Sequence, residues 1–434
     1  MEETDLLKAF AQAFRTPDLR NKLLFTLAIM ALFRLGSFIP APGVSYKNVQ
    51  ACIASNNQSI LDMVNLFSGG GLLQLSIFAL GIMPYITSSI IMQLMRVAVP
   101  RLEELHKEGQ AGQTKITQYS RYLTIGLAVL QSAVVVTMAN TGQMFPGCGL
   151  DVIPESTPWV NLLIVLAMTA GTGLIMWLGE LITEKGVGNG MSLLIFTSIT
   201  ASFPSQMISL AGGNNGALNF SLMMLLILAI TLAVTFVELS QRRIPVQYAK
   251  RMVGRRLYGG STTYIPLKIN QSGVIPVIFA SSLLQLPVLA AQFAPTASWS
   301  IWLQQHFIVN QGPWYMLTYA LLILFFAFFY TSITFNPDEV ADNMKKYGGF
   351  IPGIRAGKPT ADYLRYVMNR LTTAGSIYLA VVALIPVLAI KAMGVSNTMA
   401  FGGTTLMIMV GVGLQTVREI DSQLQQRHYE GFLQ

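Results

Sequence analysis

Ten stretches of about twenty apolar residues divide this chain, near 23–42, 74–95, 122–141, 158–181, 190–210, 217–238, 271–292, 313–335, 372–392 and 398–416. About 20 such residues cross a bilayer core as a helix. In lipid every backbone N–H and C=O must also be paired within its own segment, which favours helices. The spacing therefore predicts an all-α polytopic membrane protein with ten transmembrane helices. Only 11% of residues are charged, against about 25% in soluble domains, too few to cover a globule in water. The tightest boundary lies between the fourth and fifth stretches, where Glu180, Glu184 and Lys185 mark a short connection. Residues 1–22 read as a polar, amphipathic cytoplasmic segment without a cleavable signal core, so the first stretch is expected to stay as an anchor.

The basic residues test the count. Of 28 Lys and Arg, all but Lys47, Lys391 and Arg34 fall at the termini or in the even-numbered connections. Basic residues favour the cytoplasmic side, so both termini are expected there, and one span more or fewer would scramble the partition. The net charge of +8 is explained by this bias, and DNA is not an expected partner. Arg34 is the one charge set well inside a span rather than at its end, where snorkelling or a partner on another helix is expected.

Gly81-Ile82-Met83-Pro84-Tyr85-Ile86 in the second stretch returns as Gly273-Val274-Ile275-Pro276-Val277-Ile278 in the seventh. Five spans before the Gly212-Gly213-Asn214-Asn215-Gly216 break and five after it make the second half insert upside down relative to the first. Inverted halves place a functional path at the midplane between them. The domains follow: an N-terminal half over 23–213, a C-terminal half over 214–416 and a cytoplasmic tail over 417–434. Proline inside an apolar helix removes a hydrogen bond and clashes with the preceding turn, so each copy is expected to be a kinked or locally open helix.

Ser59 to Ser68 has a helical apolar pattern but is too short to span, and it stops at Gly69-Gly70-Gly71. With Asp62 and Asn65 costly in lipid, residues 59–71 read as an interfacial helix or as a re-entrant segment hinged by glycines. Two long basic loops, 241–270 and 336–371, carry apolar residues among their bases (Val246, Tyr248, Phe350, Ile351). The alternation in the first suggests a β-hairpin, and the apolar residues favour a docking surface over a purely topogenic role. Cys52 and Cys148 fall in outward loops on an oxidising side, where a pairing is open although two lone cysteines more often stay unpaired.

No hydrolase, zinc-protease or nucleotide-loop signature occurs, and no Asp, Glu or His sits at the centre of a span. No enzymatic activity, metal or cofactor is expected. Coupled carriers usually bury an ionisable group, so a passive conduit, a secondary transporter and a non-conducting scaffold stand as readings in that order. A conduit can be sealed by bulky apolar side chains, and Ile82 with Ile86, and Met191 with Ile195, have the helical spacing for it.

Seven motifs together resemble the SecY family, whose members form the central subunit of the bacterial Sec protein-conducting channel. They are Phe33-Arg34-x-Gly36-Ser37-Phe38-Ile39-Pro40, Asn65-x-Phe67-Ser68-Gly69-Gly70, Phe78-Ala79-Leu80-Gly81-Ile82-Met83-Pro84-Tyr85-Ile86, Trp177-Leu178-Gly179-Glu180-x-Ile182-Thr183, Gly188-Asn189-Gly190, Tyr248-Ala249-Lys250-Arg251 and Phe401-Gly402-Gly403-Thr404. The resemblance implies a central pore closed by a ring of Ile82, Ile86, Met191, Ile195, Ile278 and Ile408, where Met191 departs from the aliphatic type and softens the seal. It implies a plug containing Asp62, Met63, Asn65, Leu66, Phe67, Gly69 and Gly70, with Asn65 and Phe67 facing the pore. A lateral gate would be lined by Thr87, Ile90, Gln131, Asn270 and Leu286. Arg242, Arg243, Lys250, Arg251, Arg255, Arg256 and Arg355 would dock the SecA motor or the ribosome. SecE and SecG subunits, secretory and membrane-protein substrates, the phospholipid membrane and a bacterial plasma-membrane location are implied as well.

Overall fold

The structure, a computed structural model, describes residues 16–55, 65, 68–142, 144–145, 148–211, 216–248, 251–253, 256–258, 262–293, 297–303, 312–392 and 403–430. The N-terminal half comprises α1 (Pro17–Gly36), α2 (Tyr46–Ser55), α3 (Met83–Ala98), α4 (Pro100–Lys107), α5 (Gln110–Asn140), α6 (Pro158–Lys185) and α7 (Gly190–Ala211). The C-terminal half begins with α8 (Gly216–Leu239), strands β1 (Gln241–Tyr248), β2 (Arg251–Val253), β3 (Arg256–Tyr258) and β4 (Thr262–Lys268), then α9 (Ile275–Phe293) and α10 (Ser298–Leu303). It continues through α11 (Pro313–Thr334), α12 (Pro337–Lys346), β5 (Gly349–Phe350), α13 (Lys358–Ala392) and α14 (Gly403–Glu430). The chain is a mostly helical, polytopic membrane protein. Among the described residues six helices are long and apolar enough to cross a membrane by length and composition: α5, α6, α7, α8, α11 and α13.

Prolines start helices here. Pro17, Pro84, Pro100, Pro158, Pro313 and Pro337 each sit in a first turn, where the missing N–H would have had no partner and φ is already helical. Of the two forms expected at Pro84 and Pro276, a kinked or a locally open helix, the kink is absent and the chain is open ahead of each proline. Residues 72–82 run as successive turns and α3 begins at Met83, so the helix of the second stretch starts well inside the apolar segment. Pro276 is likewise the second residue of α9, whose interior proline is Pro287.

Within the first half α3 packs on α5, α5 on α6, α6 on α7, and α1 on both α6 and α7. Within the second, α9 packs on α11, α11 on α13, α13 on α14 and α8 on α14. Two seams join the halves. At the front α3 and α5 meet α9, and at the back α7 meets α8 and α14.

Val49 and Cys52 of α2 are buried with Leu72, Leu75, Met144 and Phe145 in a separate apolar cluster. Asn48 Nδ2 donates to the Asp151 carbonyl (2.7 Å) and the Ser45 amide to that of Val152 (3.0 Å). These contacts bring α2 against the loop carrying Cys148, and Cys52 is disulfide-bonded to Cys148 across a Cα separation of 5.5 Å. The expectation that favoured unpaired cysteines is therefore corrected.

The two basic loops form one module. β1 and β4 pair antiparallel from Gln241↔Lys268 to Gln247↔Thr262, the hairpin that the alternation predicts, and β5 adds to the far side of β1. Ile244, Val246 and Leu267 pack against Met344, Ile351, Leu364 and Val367 in a small core. Val246 and Ile351 thus serve packing, with 1% and 4% exposure, and do not argue for a docking surface; Phe350 remains exposed and Tyr248 half-buried.

Candidate functional site

Helix starts build the centre of the molecule. Ile82 caps α3 and Ile86 lies in its first turn; Met191 and Ile195 open α7, Ile278 opens α9 and Ile408 falls in the second turn of α14. Ile82, Ile86, Ile195, Ile278 and Ile408 belong to one buried apolar cluster, and half-buried Met191 packs against it. A helix starting in an apolar interior exposes up to four unpaired N–H groups. Proline in the first turn of α3 and of α9 removes one of them, and the Ile82 and Val274 carbonyls accept from two amides each. The Gly-x-x-Pro repeat is thus a device for starting a helix at a dry waist.

Met191 owes its place to a glycine. A Cβ on Gly179 of α6 would stand 2.5 Å from the Met191 sulfur, and one on Gly190 would stand 1.9 Å from the Gly179 carbonyl oxygen. The α6–α7 crossing therefore requires glycine at 190, against the Gly179 backbone, and the flexible Met191 thioether fills the space over Gly179.

A cavity of about 570 Å³ ends on this cluster, lined by Ile86, Met191, Ile195 and Ile278. Its polar wall includes Gln93, Arg121, Glu180 and Glu184. Arg121 forms a two-pronged ion pair with Glu180, Nε to Oε1 and Nη2 to Oε2, both at 2.8 Å, linking α5 to α6. The sequence reading missed this pair. Its signal was present, since Arg121 precedes the third apolar stretch and Glu180 closes the fourth, at one level of adjacent antiparallel spans.

The residues assigned to a plug fall partly outside the described residues, namely Asp62, Met63, Leu66 and Phe67. Asn65 Oδ1 accepts from the Leu73 amide (3.1 Å), and its carbonyl accepts from the Gly70 amide (2.9 Å). Gly69 and Gly70 have φ of +67° and +91°, a region that disfavours side chains. Gly71 does not share that conformation; a Cβ there would stand 2.7 Å from Ser76 Oγ. Arg34 neither snorkels freely nor bonds to a neighbouring helix. Its Nη1 donates to the Gly69 carbonyl, and its guanidinium lies 4.6 Å from the Phe38 ring centroid.

At the front seam Thr87 and Ile90 of α3 are buried, and Gln131 of α5 is half-buried. Thr87 Oγ1 donates within its own helix to the Met83 carbonyl (3.0 Å). Leu286 lies on α9 directly before Pro287. Asn270 is buried and donates to Glu238 Oε1 (2.6 Å) and to the Gly273 carbonyl (3.0 Å). Arg418 of α14 donates to the Glu238 carbonyl (3.1 Å). Burial, with Arg418 adding repulsion, lowers the pKa of Lys268 beside this cluster.

Of the docking candidates, Arg242, Arg243 and Arg355 are exposed, and the Arg243 guanidinium lies 4.9 Å from the Tyr264 ring centroid. Arg251 and Arg256 fall on the paired strands β2 and β3. Lys250 and Arg255 lie outside the described residues.

A family model described as SecY matches residues 76–417. The chain is 59% identical over 439 residues to the protein translocase subunit SecY of Streptomyces galbus, and 54% identical over 441 residues to that of Mycobacterium tuberculosis. Both alignments cover 99% of this chain and all of the relative. Among solved structures, one described as a protein-conducting channel matches with a TM-score of 0.60 at 17% identity, over 92% of this chain and 91% of that one. A structure concerned with the plug domain of a SecY protein and its membrane seal matches at 0.59 and 18% identity over the same shares. Two helical halves meeting at an apolar waist, in the fold of those structures, define a polytopic membrane channel of the protein-conducting class. The chain belongs to the SecY family.

Proposed function

We propose that this chain forms the pore through which unfolded secretory polypeptides cross the bacterial plasma membrane. The observation that carries the reading is the waist itself, a buried apolar cluster closing a cavity whose other wall is polar. Ile82, Ile86, Met191, Ile195, Ile278 and Ile408 form the gasket. Aliphatic side chains suit that role because they shed water when the pore is idle and hydrogen-bond to no passing side chain.

In this reading ten spans place both termini in the cytoplasm, and the cavity lined by Arg121 and Glu180 is the cytoplasmic vestibule. The segment ending at Gly69-Gly70 is a plug covering the waist from outside. The front seam is a lateral gate, where an apolar signal segment parts α3 from α9 beside Thr87, Ile90, Gln131, Asn270 and Leu286. The cytoplasmic module, with Arg242, Arg243, Lys250, Arg251, Arg255, Arg256 and Arg355, docks a SecA motor or the ribosome. Energy comes from those partners, and SecE and SecG subunits complete the membrane complex.

The test is electrical. Ile86→Gly combined with Ile278→Gly should raise ion conductance across a bilayer containing the reconstituted channel at least tenfold over the parent. Conductance equal to the parent would remove the gasket from the account.

A further inference from the structure

A groove of about 780 Å³ runs between α11 and α13, away from the waist. Its apolar wall is formed by Phe325, Phe328 and Phe329 of α11, and Phe325 and Phe328 are 57% and 41% exposed. Its mouth carries Asn336, Asp338, Arg365 and Asn369. From Leu324 to Phe335 the wall runs for about 16 Å at 1.5 Å per residue, close to half of the ~30 Å hydrocarbon core. The groove therefore has the depth of one leaflet, with its mouth at the headgroup level where α11 ends.

Charge at that mouth selects the headgroup. Arg365 bonds at once to Asp338 Oδ2 (2.9 Å) and Asp362 Oδ1 (3.0 Å). One guanidinium between two carboxylates leaves a net negative charge, which an anionic lipid would meet unfavourably and an ammonium would compensate. The basic stretches elsewhere on the cytoplasmic face attract anionic lipid, so this mouth is an exception on its own surface. We propose that the groove holds one phospholipid with a primary ammonium headgroup, of the phosphatidylethanolamine class. One acyl chain lies along the phenylalanines, the ammonium meets Asp338, and the amides of Asn336 and Asn369 supply donors for the phosphate. The site goes beyond the channel reading and rests only on α11 lying in the membrane.

The full chain can be placed in nanodiscs of equal parts phosphatidylethanolamine, phosphatidylcholine and phosphatidylglycerol, and its retained lipid read by native mass spectrometry. Phosphatidylethanolamine should be retained about tenfold over each of the others, because only a primary ammonium can both neutralise and hydrogen-bond the carboxylate. Asp338→Asn should erase that preference without changing the thermal midpoint, and Ser332→Trp, which fills the groove, should remove retained lipid of every class. Stronger retention of phosphatidylglycerol, equal retention of all three lipids, or Ser332→Trp behaving as the parent would each overturn the site. A photocrosslinking residue in place of Ser332, activated in native membranes, should give a lipid adduct; a polypeptide adduct instead would show that a partner subunit covers the groove.

Discussion

Tyr85 and Ile86 both donate their amides to the Ile82 carbonyl, at 3.1 Å, and Val277 and Ile278 do the same to the Val274 carbonyl, at 3.2 Å. Before each pair stands a left-handed glycine, Gly81 at φ +55° and Gly273 at φ +60°. The two copies differ in what holds the chain ahead of them. Ahead of α3, Arg34 at the end of α1 binds the Gly69 carbonyl; ahead of α9, Glu238 at the end of α8 binds the Asn270 amide. Each half thus uses a charged residue at the close of its first helix to pin the approach to its Gly-x-x-Pro helix, and the charges have opposite sign. A backbone device survives duplication and inversion because it needs only glycine and proline. The side-chain clamp must suit its own side of the membrane.

Breaking the clamps should have the largest effect. Arg34→Met leaves the Gly69 carbonyl without its charged donor, and Glu238→Ala removes the charged one of the two acceptors of the Asn270 side-chain amide, leaving the Gly273 carbonyl. Each should cost about 1.5–3 kcal/mol, the worth of a hydrogen bond to a charged group, read as a lowered unfolding midpoint in detergent. Glu238→Gln keeps an acceptor oxygen and should recover most of the loss. If Glu238→Gln is as damaging as Glu238→Ala, the clamp acts through charge alone and the parallel with Arg34 fails.

The glycines come next. Gly81→Val and Gly273→Val force β-branched residues into the left-handed region, at about 1–2 kcal/mol each. A Cβ on Gly273 meets nothing within 4 Å, so that substitution isolates backbone strain from crowding. Equal losses of thermal stability at the two sites would confirm that the copies are one device, and a loss confined to Gly81→Val would separate them.

Much of this architecture was legible before any coordinates. The apolar stretches located the long helices, the Gly-x-x-Pro repeat located α3 and α9, and the alternation from Arg242 to Tyr248 announced the hairpin. Hydropathy reports what one segment needs from lipid, and period reports which face it buries. Neither reports what a segment meets far along the chain. The Cys52–Cys148 bond spans 96 residues, and it depends on α2 docking by contacts that no local pattern encodes. The small core beneath Val246 and Ile351 joins two loops separated by α9, α10 and α11, so its members looked exposed. The kink read at Pro84 failed for a different reason. Local chemistry allows proline both to interrupt a helix and to start one, and only the left-handed Gly81 before it decides between them.

That ambiguity gives the smallest and sharpest test. Pro84 and Pro276 stand where an amide would have no intrahelical partner, so Pro84→Ala and Pro276→Ala should each change stability by less than about 0.5 kcal/mol. Pro287 stands inside α9, where it deletes the hydrogen bond to the Leu283 carbonyl. Pro287→Ala restores that donor and should raise the unfolding midpoint. If the front seam opens by bending α9 beside Leu286, the same change should slow passage of precursors with weakly apolar signal segments, which have the least binding energy to spend on opening. Precursors with strongly apolar signals should pass at the parental rate. The opposite ranking, with Pro276→Ala slowing translocation and Pro287→Ala without effect, would return flexibility to the start of the helix and make the repeated proline a hinge.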